Sequence, residues 1–145
     1  MIVYRPIGVI HSPFLQREGV PIQPRAAKGI QGWVEVHEDY TGGLLHLEGF
    51  SHIVLLYHFH LSNGFDLETM PFLDNVPRGV FATRAPRRPN AIGLSAVKLL
   101  SIKSNILEIE NVDIVDGTPL LDIKPYNPDF DAITEAAVGW YAGKG

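Results

Sequence analysis

Two prolines, Pro86 and Pro89, interrupt the chain between two apolar runs and limit what its middle can become. Each fixes φ and lacks a backbone donor, so residues 81–95 can be neither a helix interior nor a central strand. The segment carries Arg84, Arg87 and Arg88, three of the seven arginines in a chain of net charge -4, and Arg78 lies just upstream. A rigid loop holding arginines between two buried strands satisfies these facts. Such loops on a scaffold are where binding residues concentrate. The competing reading is a solvated charged turn, which has little use for two prolines that hold arginines still.

The punctuation elsewhere favours short strands. The chain has 14 glycines and 11 prolines, spread throughout its 145 residues, which suits strands and turns better than long helices. With 46% hydrophobic and 19% charged residues it can bury a sizeable core, and its length fits one domain spanning residues 1–145. It has no cysteine, so disulfides, thiolate metal sites and thiol catalysis are excluded. The N-terminus lacks the pattern of a signal peptide, and the apolar run around Ile53–Tyr57 is too short to span a bilayer. A cytoplasmic protein with no membrane partner is expected. Mild acidity argues against non-specific coating of nucleic acid, while a local basic patch can still read one RNA.

Taken in order, residues 2–10 read as a first strand and residues 14–29 as a long loop. Gly32–His37 alternates as a second strand. Residues 40–49 hold a helical turn or two. Ile53, Val54, Leu55, Leu56 and Tyr57 are nearly continuous, as expected of a strand buried on both faces. His58 and His60 then fall on one face and Phe59 on the other. Residues 62–77 form a second irregular connection, with a helical turn near Asp66–Met70. Arg78–Thr83 is a short strand. Leu94–Ile102 and residues 106–115 make a hairpin about the turn at residues 103–105, and Leu120–Ile123 is the last strand. The tail, residues 127–145, holds a short helix over Ala132–Val138. The expected fold is therefore mainly β, about seven antiparallel strands with long loops and one or two short helices, arranged as a barrel or a sandwich.

Several chemistries can be weighed. Six histidines are present, but their spacing matches no zinc motif, so His58 and His60 read as packed, hydrogen-bonded side chains and no metal is expected. Gly42-Gly43 lacks a following lysine and a strand-to-helix context, which excludes a P-loop or dinucleotide fold. No serine sits in a nucleophile elbow. Asp113, Asp116 and Asp122 lie inside an apolar run, where a carboxylate is costly to bury unless it is paired. Asp116 can cap the backbone of a turn in which Gly117 takes positive φ, or it can serve a ligand; both readings stand. Asp122, Lys124 and Tyr126 would bring acid, amine and phenol near one strand end. Arg84 can hold a carboxylate or phosphate through two parallel hydrogen bonds, and Asn90 can read an amide or a base edge.

Phe81-Ala82-Thr83-Arg84 followed by Arg88-Pro89-Asn90-Ala91-Ile92-Gly93-Leu94-Ser95 resembles the signature of the TsaA-like family, the TrmO-type tRNA methyltransferases. Asp113, then Asp116-Gly117-Thr118-Pro119 and Asp122-Ile123-Lys124-Pro125-Tyr126, is similar to its second block. Ile7–Pro13 resembles its opening and Leu47–His52 its middle, so the resemblance runs from about Tyr4 to Tyr126. It implies a β-barrel that works as a homodimer, with S-adenosyl-L-methionine bound near the subunit interface. It also implies transfer of methyl to N6 of threonylcarbamoyl-adenosine 37 in tRNA. The cofactor pocket implied by the resemblance uses Pro24, Arg25, Ala26, His60, Leu61, Arg84, Leu94, Asp116, Gly117, Thr118 and Pro119.

Within that reading Arg84 pairs with the methionine carboxylate and the Asp116 turn holds a polar edge of the cofactor. Asp116, Asp122 or a backbone carbonyl accepts hydrogen bonds from the target amine, and no general base is named. Arg87, Arg88, Asn90, Lys124 and Tyr126 are the RNA-binding candidates. Some members carry a further C-terminal domain, so this chain reads as the short form. Two alternatives remain: a methyltransferase of the same barrel acting on another RNA or a small molecule, and a non-catalytic β-barrel RNA-binding module.

Overall fold

The computed structural model of the protein describes residues 1–20, 24–72 and 74–144, without the side chains of Pro24 and Arg25. The strands are β1 (Gly8–His11), β2 (Gln31–Val36), β3 (His52–His58), β4 (Glu68–Thr69), β5 (Arg78–Gly79), β6 (Ile92–Lys103), β7 (Ile106–Glu110) and β8 (Thr118–Pro125). Six of them close into an antiparallel barrel in the order β1-β2-β7-β6-β3-β8, and β4 pairs with β5 as a separate ribbon. The expectation of about seven strands is thus met by a six-stranded barrel, because the strand expected over Arg78–Thr83 pairs outside it. Only Arg78–Gly79 joins a ladder there, and Val80–Ala82 turns as a 3-10 helix closed by Thr83 Oγ1 donating to the Val80 carbonyl.

Alternation along β6 explains the closure. From Gly93 to Leu99 every second residue is buried and every other one exposed, so one face meets the interior throughout. The first half of β6 pairs with β3 through Val54↔Ala96 and Leu56↔Leu94, and its second half pairs with β7. A register shift between Leu99 and Ser101 separates the halves, and an extra residue at such a point bends a strand. A second shift lies between Leu56 and Tyr57 where β3 meets β8.

Ile10, Val34, Ile53, Leu55, Val97 and Leu107 are fully buried and form the centre of the core. One end of the barrel is plugged by Leu44 and Leu47, from the 3-10 helices Glu38–Leu44 and Leu47–Gly49. Antiparallel order has the chain leave the barrel at the opposite end after His11, His58 and Glu110 and re-enter it there at Gln31, Ile92 and Thr118.

The β3 expectation needs correcting. Its burial alternates, with Ile53, Leu55 and Tyr57 inward and Val54 and Leu56 only partly covered. The run is continuous because the outer wall is also apolar there, and no helix among the described residues covers it. The first strand begins at Gly8, and residues 1–6 are exposed. No helix forms over Ala132–Val138; the α-helix is α1 (Pro128–Asp131), started by Asn127 accepting from the Asp129 N–H with proline in its first turn. The turn expected near Asp66–Met70 is instead β4.

Leu55→Ala should lower unfolding free energy by about 2–5 kcal/mol in urea titration, since it empties a packed site. Ile133→Ala, at a position 75% exposed, should change it by no more than about 0.5 kcal/mol.

Candidate functional site

A cleft of about 1150 Å³ opens at the barrel end where the long connections meet. Its floor is the upper interior of the barrel, formed by Tyr57 of β3, Gly93 of β6, Thr118 of β8 and Asp113 from the β7–β8 connection. Its rim comes from the arginine loop and the 59–72 segment, including Phe59, His60, Phe81 and Arg84.

The floor carries a chain of hydrogen bonds. Tyr57 OH lies 2.8 Å from Ser95 Oγ, and Ser95 Oγ donates to Asp113 Oδ1 at 2.7 Å. Serine has one proton to give, so the phenol is the donor to Ser95. Burial pushes the Tyr57 phenol up to about 12, which keeps it protonated at neutral pH. Burial likewise raises Asp113 above the usual carboxylate range, against the opposing effects of the Ser95 hydrogen bond and the Arg84 charge. Gly93 makes the arrangement possible, because a Cβ there would run into the Tyr57 and Phe59 rings. Those rings meet edge to face with centroids 5.5 Å apart.

The arginine loop is pinned by its own side chains. Arg88 Nη1 donates to the carbonyls of Thr83 and Ala85 at 2.9 and 3.1 Å, so it braces the loop while it lines the cleft. Arg87 donates to the Asn63 carbonyl and pairs with Asp66 at 3.3 Å, tying the loop to the 62–66 segment. Arg84 is exposed and lines the cleft.

The remaining sequence candidates divide. His60, Leu61, Leu94 and Thr118 line the cleft with Arg84, and burial followed by the neighbouring His58 lowers the proton affinity of His60. Asp116, Gly117 and Pro119 are not in its lining. The Asp116 carboxylate accepts from the Ser12 N–H at 3.1 Å and lies 3.2 Å from His11 Nδ1, which stacks on Trp33. Gly117 takes φ of +84°, and its N–H bonds the Ile10 carbonyl. Gly117 thus takes the positive φ of the structural reading, but the carboxylate caps the end of β1 rather than the N–H groups of its own turn. Ala26 is exposed on the short helix Pro24–Ala27 and does not line the cleft; the side chains of Pro24 and Arg25 lie outside the described residues.

Asn90 is exposed beside the loop. Lys124 pairs with Asp122 at 2.9 Å on the outer wall, and Tyr126 packs edge-on against His52, at the barrel end away from the cleft. Among the described residues no cluster of His, Asp and Glu could hold a metal ion, and no helix is long and apolar enough to cross a membrane.

Three floor residues were not singled out as site residues from the sequence: Tyr57, Ser95 and Asp113. Their signal was present as polar groups at inward parity, since Ser95 alternates with Gly93 and Val97, all three buried on β6. Trp140 was also missed. Val138, Trp140 and Tyr141 line the cleft, with the Trp140 indole N–H donating to the Ala82 carbonyl at 2.7 Å and Arg78 lying 5.7 Å over its ring.

A family model described as the tRNA-methyltransferase O N-terminal domain matches residues 9–132. The chain belongs to this family. A probable S-adenosyl-L-methionine-binding protein of Pyrococcus abyssi is 56% identical over 97% of the chain and 76% of its own length. The tRNA (adenine(37)-N6)-methyltransferase of Escherichia coli is 37% identical over 94% of the chain and 63% of its own length. The crystal structure of TrmO from Pseudomonas aeruginosa superposes with a TM-score of 0.81 at 37% identity, covering 97% of this chain and 62% of that one. The chain thus spans under two thirds of the length of those last two proteins.

In this TrmO-type chain the C-terminal segment is held by ions as well as by the indole. Asp74 pairs with Arg78 at 2.6 Å and with Lys144 at 3.3 Å. The Arg78 hydrogen bond, with lesser help from the Asn75 N–H and Lys144, brings the Asp74 carboxyl down to about 2. A depressed carboxylate stabilises the fold above the ordinary range near pH 4, and that contribution is lost as pH falls toward 2. In a Trp33→Phe background, Trp140 emission should therefore shift to the red only in that acid window. Asp74→Asn should show the shift already at pH 7; unchanged emission there would mean that other contacts hold the segment.

Proposed function

We propose that the protein is an S-adenosyl-L-methionine-dependent methyltransferase that methylates N6 of threonylcarbamoyl-adenosine 37 in tRNA. The observation that carries this reading is the cleft itself: in a TrmO-type barrel, it sets the Arg84 guanidinium beside an aromatic-walled cavity large enough for a nucleoside. The residues present fit the cofactor. Ser62 Oγ is buried at the cleft without a hydrogen-bond partner among the described residues, so a polar ligand atom would satisfy it. In this reading Arg84 takes the methionine carboxylate and Phe59, Phe81 and Leu94 the adenine ring, supported by the position of all four in the cleft lining. His60, Leu61 and Thr118 complete the wall, while Asp116, Gly117 and Pro119 flank Thr118 in sequence outside the lining.

When bound, the sulfonium supplies an electrophilic methyl group to an attacking nitrogen in line with the carbon–sulfur bond. The chain's share is alignment and exclusion of water. The braces from Arg87 and Arg88 hold the loop that carries Arg84, and the Trp140 segment narrows the opening. The names of two relatives, both tRNA (adenine(37)-N6)-methyltransferases, support tRNA as the acceptor. One observation favours a different acceptor: both loop arginines expected to meet RNA are engaged within the chain, Arg87 with the Asn63 carbonyl and Asp66 and Arg88 with the Thr83 and Ala85 carbonyls.

A homodimer completes the proposal. Val54, Leu56, Leu94 and Ala96 are neighbours across the β3–β6 ladder on the outer wall, with the Asp122–Lys124 pair at their edge. Ile92 and Leu94 belong to this wall and also to the cleft, so a second copy docked here would sit against the cofactor site. Ala96→Glu should convert a dimer to a monomer in sedimentation; a wild-type protein that sediments as a monomer at micromolar concentration would rule the interface out.

Arg84→Ala should weaken cofactor binding in calorimetry by about 10-fold or more, the range of a charge-assisted pair; unchanged affinity would remove its assigned role. Nucleoside mass spectrometry after incubation with tRNA carrying unmethylated threonylcarbamoyl-adenosine should show a 14 Da gain, the mass of CH₂, on that nucleoside alone. Cofactor binding without that product would favour another acceptor. Failure to bind cofactor would favour the non-catalytic module.

A further inference from the structure

Among the described residues lining the cleft, Asp113 is the only carboxylate. The other two aspartates of its motif are committed elsewhere, Asp116 to the Ser12 N–H and Asp122 to Lys124. Asp113 is held from behind, with Ser95 donating to Oδ1 and Tyr57 donating to Ser95. Both supports come from strands rather than loops, and Gly93 clears the space that the phenol occupies. A carboxylate fixed on a cavity floor by one oxygen is ready to accept a proton or a hydrogen bond from a ligand at the cavity.

We propose that Asp113 is the proton acceptor for the attacking amine and that Ser95 and Tyr57 are its positioning residues. This rests on the methyltransferase reading above. In the transfer, the nitrogen–carbon bond forms as the carbon–sulfur bond breaks with its electron pair left on sulfur. The amine is left with one proton too many, and that proton passes to the Asp113 carboxylate. In threonylcarbamoyl-adenosine N6 is a urea nitrogen with one hydrogen, a weak nucleophile because its lone pair is delocalised into the ring and the carbonyl, so an acceptor aimed at its N–H helps the lone pair reach carbon.

The surroundings suit the task. Desolvation raises the proton affinity of Asp113, and Arg84 keeps it from rising further. Tyr57 faces it as a neutral phenol, and Arg17, His60, Arg88 and Tyr141 complete the titratable and charged groups among the described residues of the cleft. Because burial disfavours the charged form, an ionised Asp113 destabilises the fold relative to a neutral one at and above its folded titration point. Asp113→Asn should accordingly melt at the same temperature as wild type or higher, with the difference growing as pH rises from acid to neutral. That readout needs no activity.

The decisive experiment compares Asp113→Asn with wild type in three measurements. S-adenosyl-L-methionine affinity by calorimetry should stay within about 3-fold, and the single-turnover methyl transfer rate to tRNA should fall by about 10²-fold or more, the usual contribution of a general base. The wild-type rate should rise with pH through the Asp113 titration and then level, and the variant should lose that rise. Ser95→Ala removes a hydrogen bond that favours the carboxylate, so it should move the rise to higher pH while leaving cofactor affinity alone. A purely structural serine would not move the profile.

Asp113→Asn with a rate within about 3-fold of wild type overturns the proposal. So does a loss of cofactor affinity that matches the loss of rate, because Asp113 would then be holding the donor. A wild-type protein that binds the cofactor yet methylates no amine overturns this proposal and the reading beneath it together. An active wild type with an active variant overturns only the proposal.

Discussion

The strict alternation of β6 is the constraint on which the other features depend. It carries one face of the sheet from the β3 neighbour to the β7 neighbour, so the sheet turns upon itself and has no free edge. A one-residue slip would exchange Val97 and Leu99 for Lys98 and Leu100 in the interior. The same parity that buries Val97 also points Gly93 and Ser95 into the cavity, where the packing becomes polar. Core and site are therefore two ends of one strand face.

Much of this was readable before any coordinates. Hydrophobic patterning located β2, β3, β6 and β8 to within a few residues and the start of β7, which ends at Glu110 rather than at residue 115, and the proline-framed arginines marked the loop at the cleft rim. What alternation does not carry is the direction of a face. The run from Ile53 to Tyr57 reads as doubly buried because its outward residues are as apolar as its inward ones, and only the barrel shows that one set has no cover. Likewise Arg87 and Arg88 read as free cations, yet backbone carbonyls claim them, that of Asn63 for Arg87 and those of Thr83 and Ala85 for Arg88. Hydrogen bonds to carbonyls depend on loop shape, which leaves no periodic trace in sequence.

The Asp113-Ile114-Val115-Asp116 stretch and Asp122 show how one composition resolves into three environments. Asp116 is satisfied by the β1 backbone, Asp122 by an exposed lysine, and Asp113 by a buried serine on the cavity floor. A sequence reading treats the three as equivalent, because each is an acid among apolar neighbours. What separates them is which side of a two-residue period each occupies and whether water reaches it. The turn at Gly117 sets that phase, since its positive φ redirects the chain from the β7–β8 connection into β8.

The pairing of β1 with β8 has a consequence in time. Gly8 meets Leu120 and Ile10 meets Thr118, so the seam joins segments separated by nearly the whole barrel sequence. The β6–β7 hairpin needs only a short turn to form, whereas the seam must wait until the chain beyond Leu120 exists. Topologies dominated by such distant pairings fold in about milliseconds to seconds. During synthesis β1 remains an unpaired edge on its β8 side, and the cavity floor, which draws Tyr57, Ser95 and Asp113 from different segments, is assembled only as the ring approaches closure.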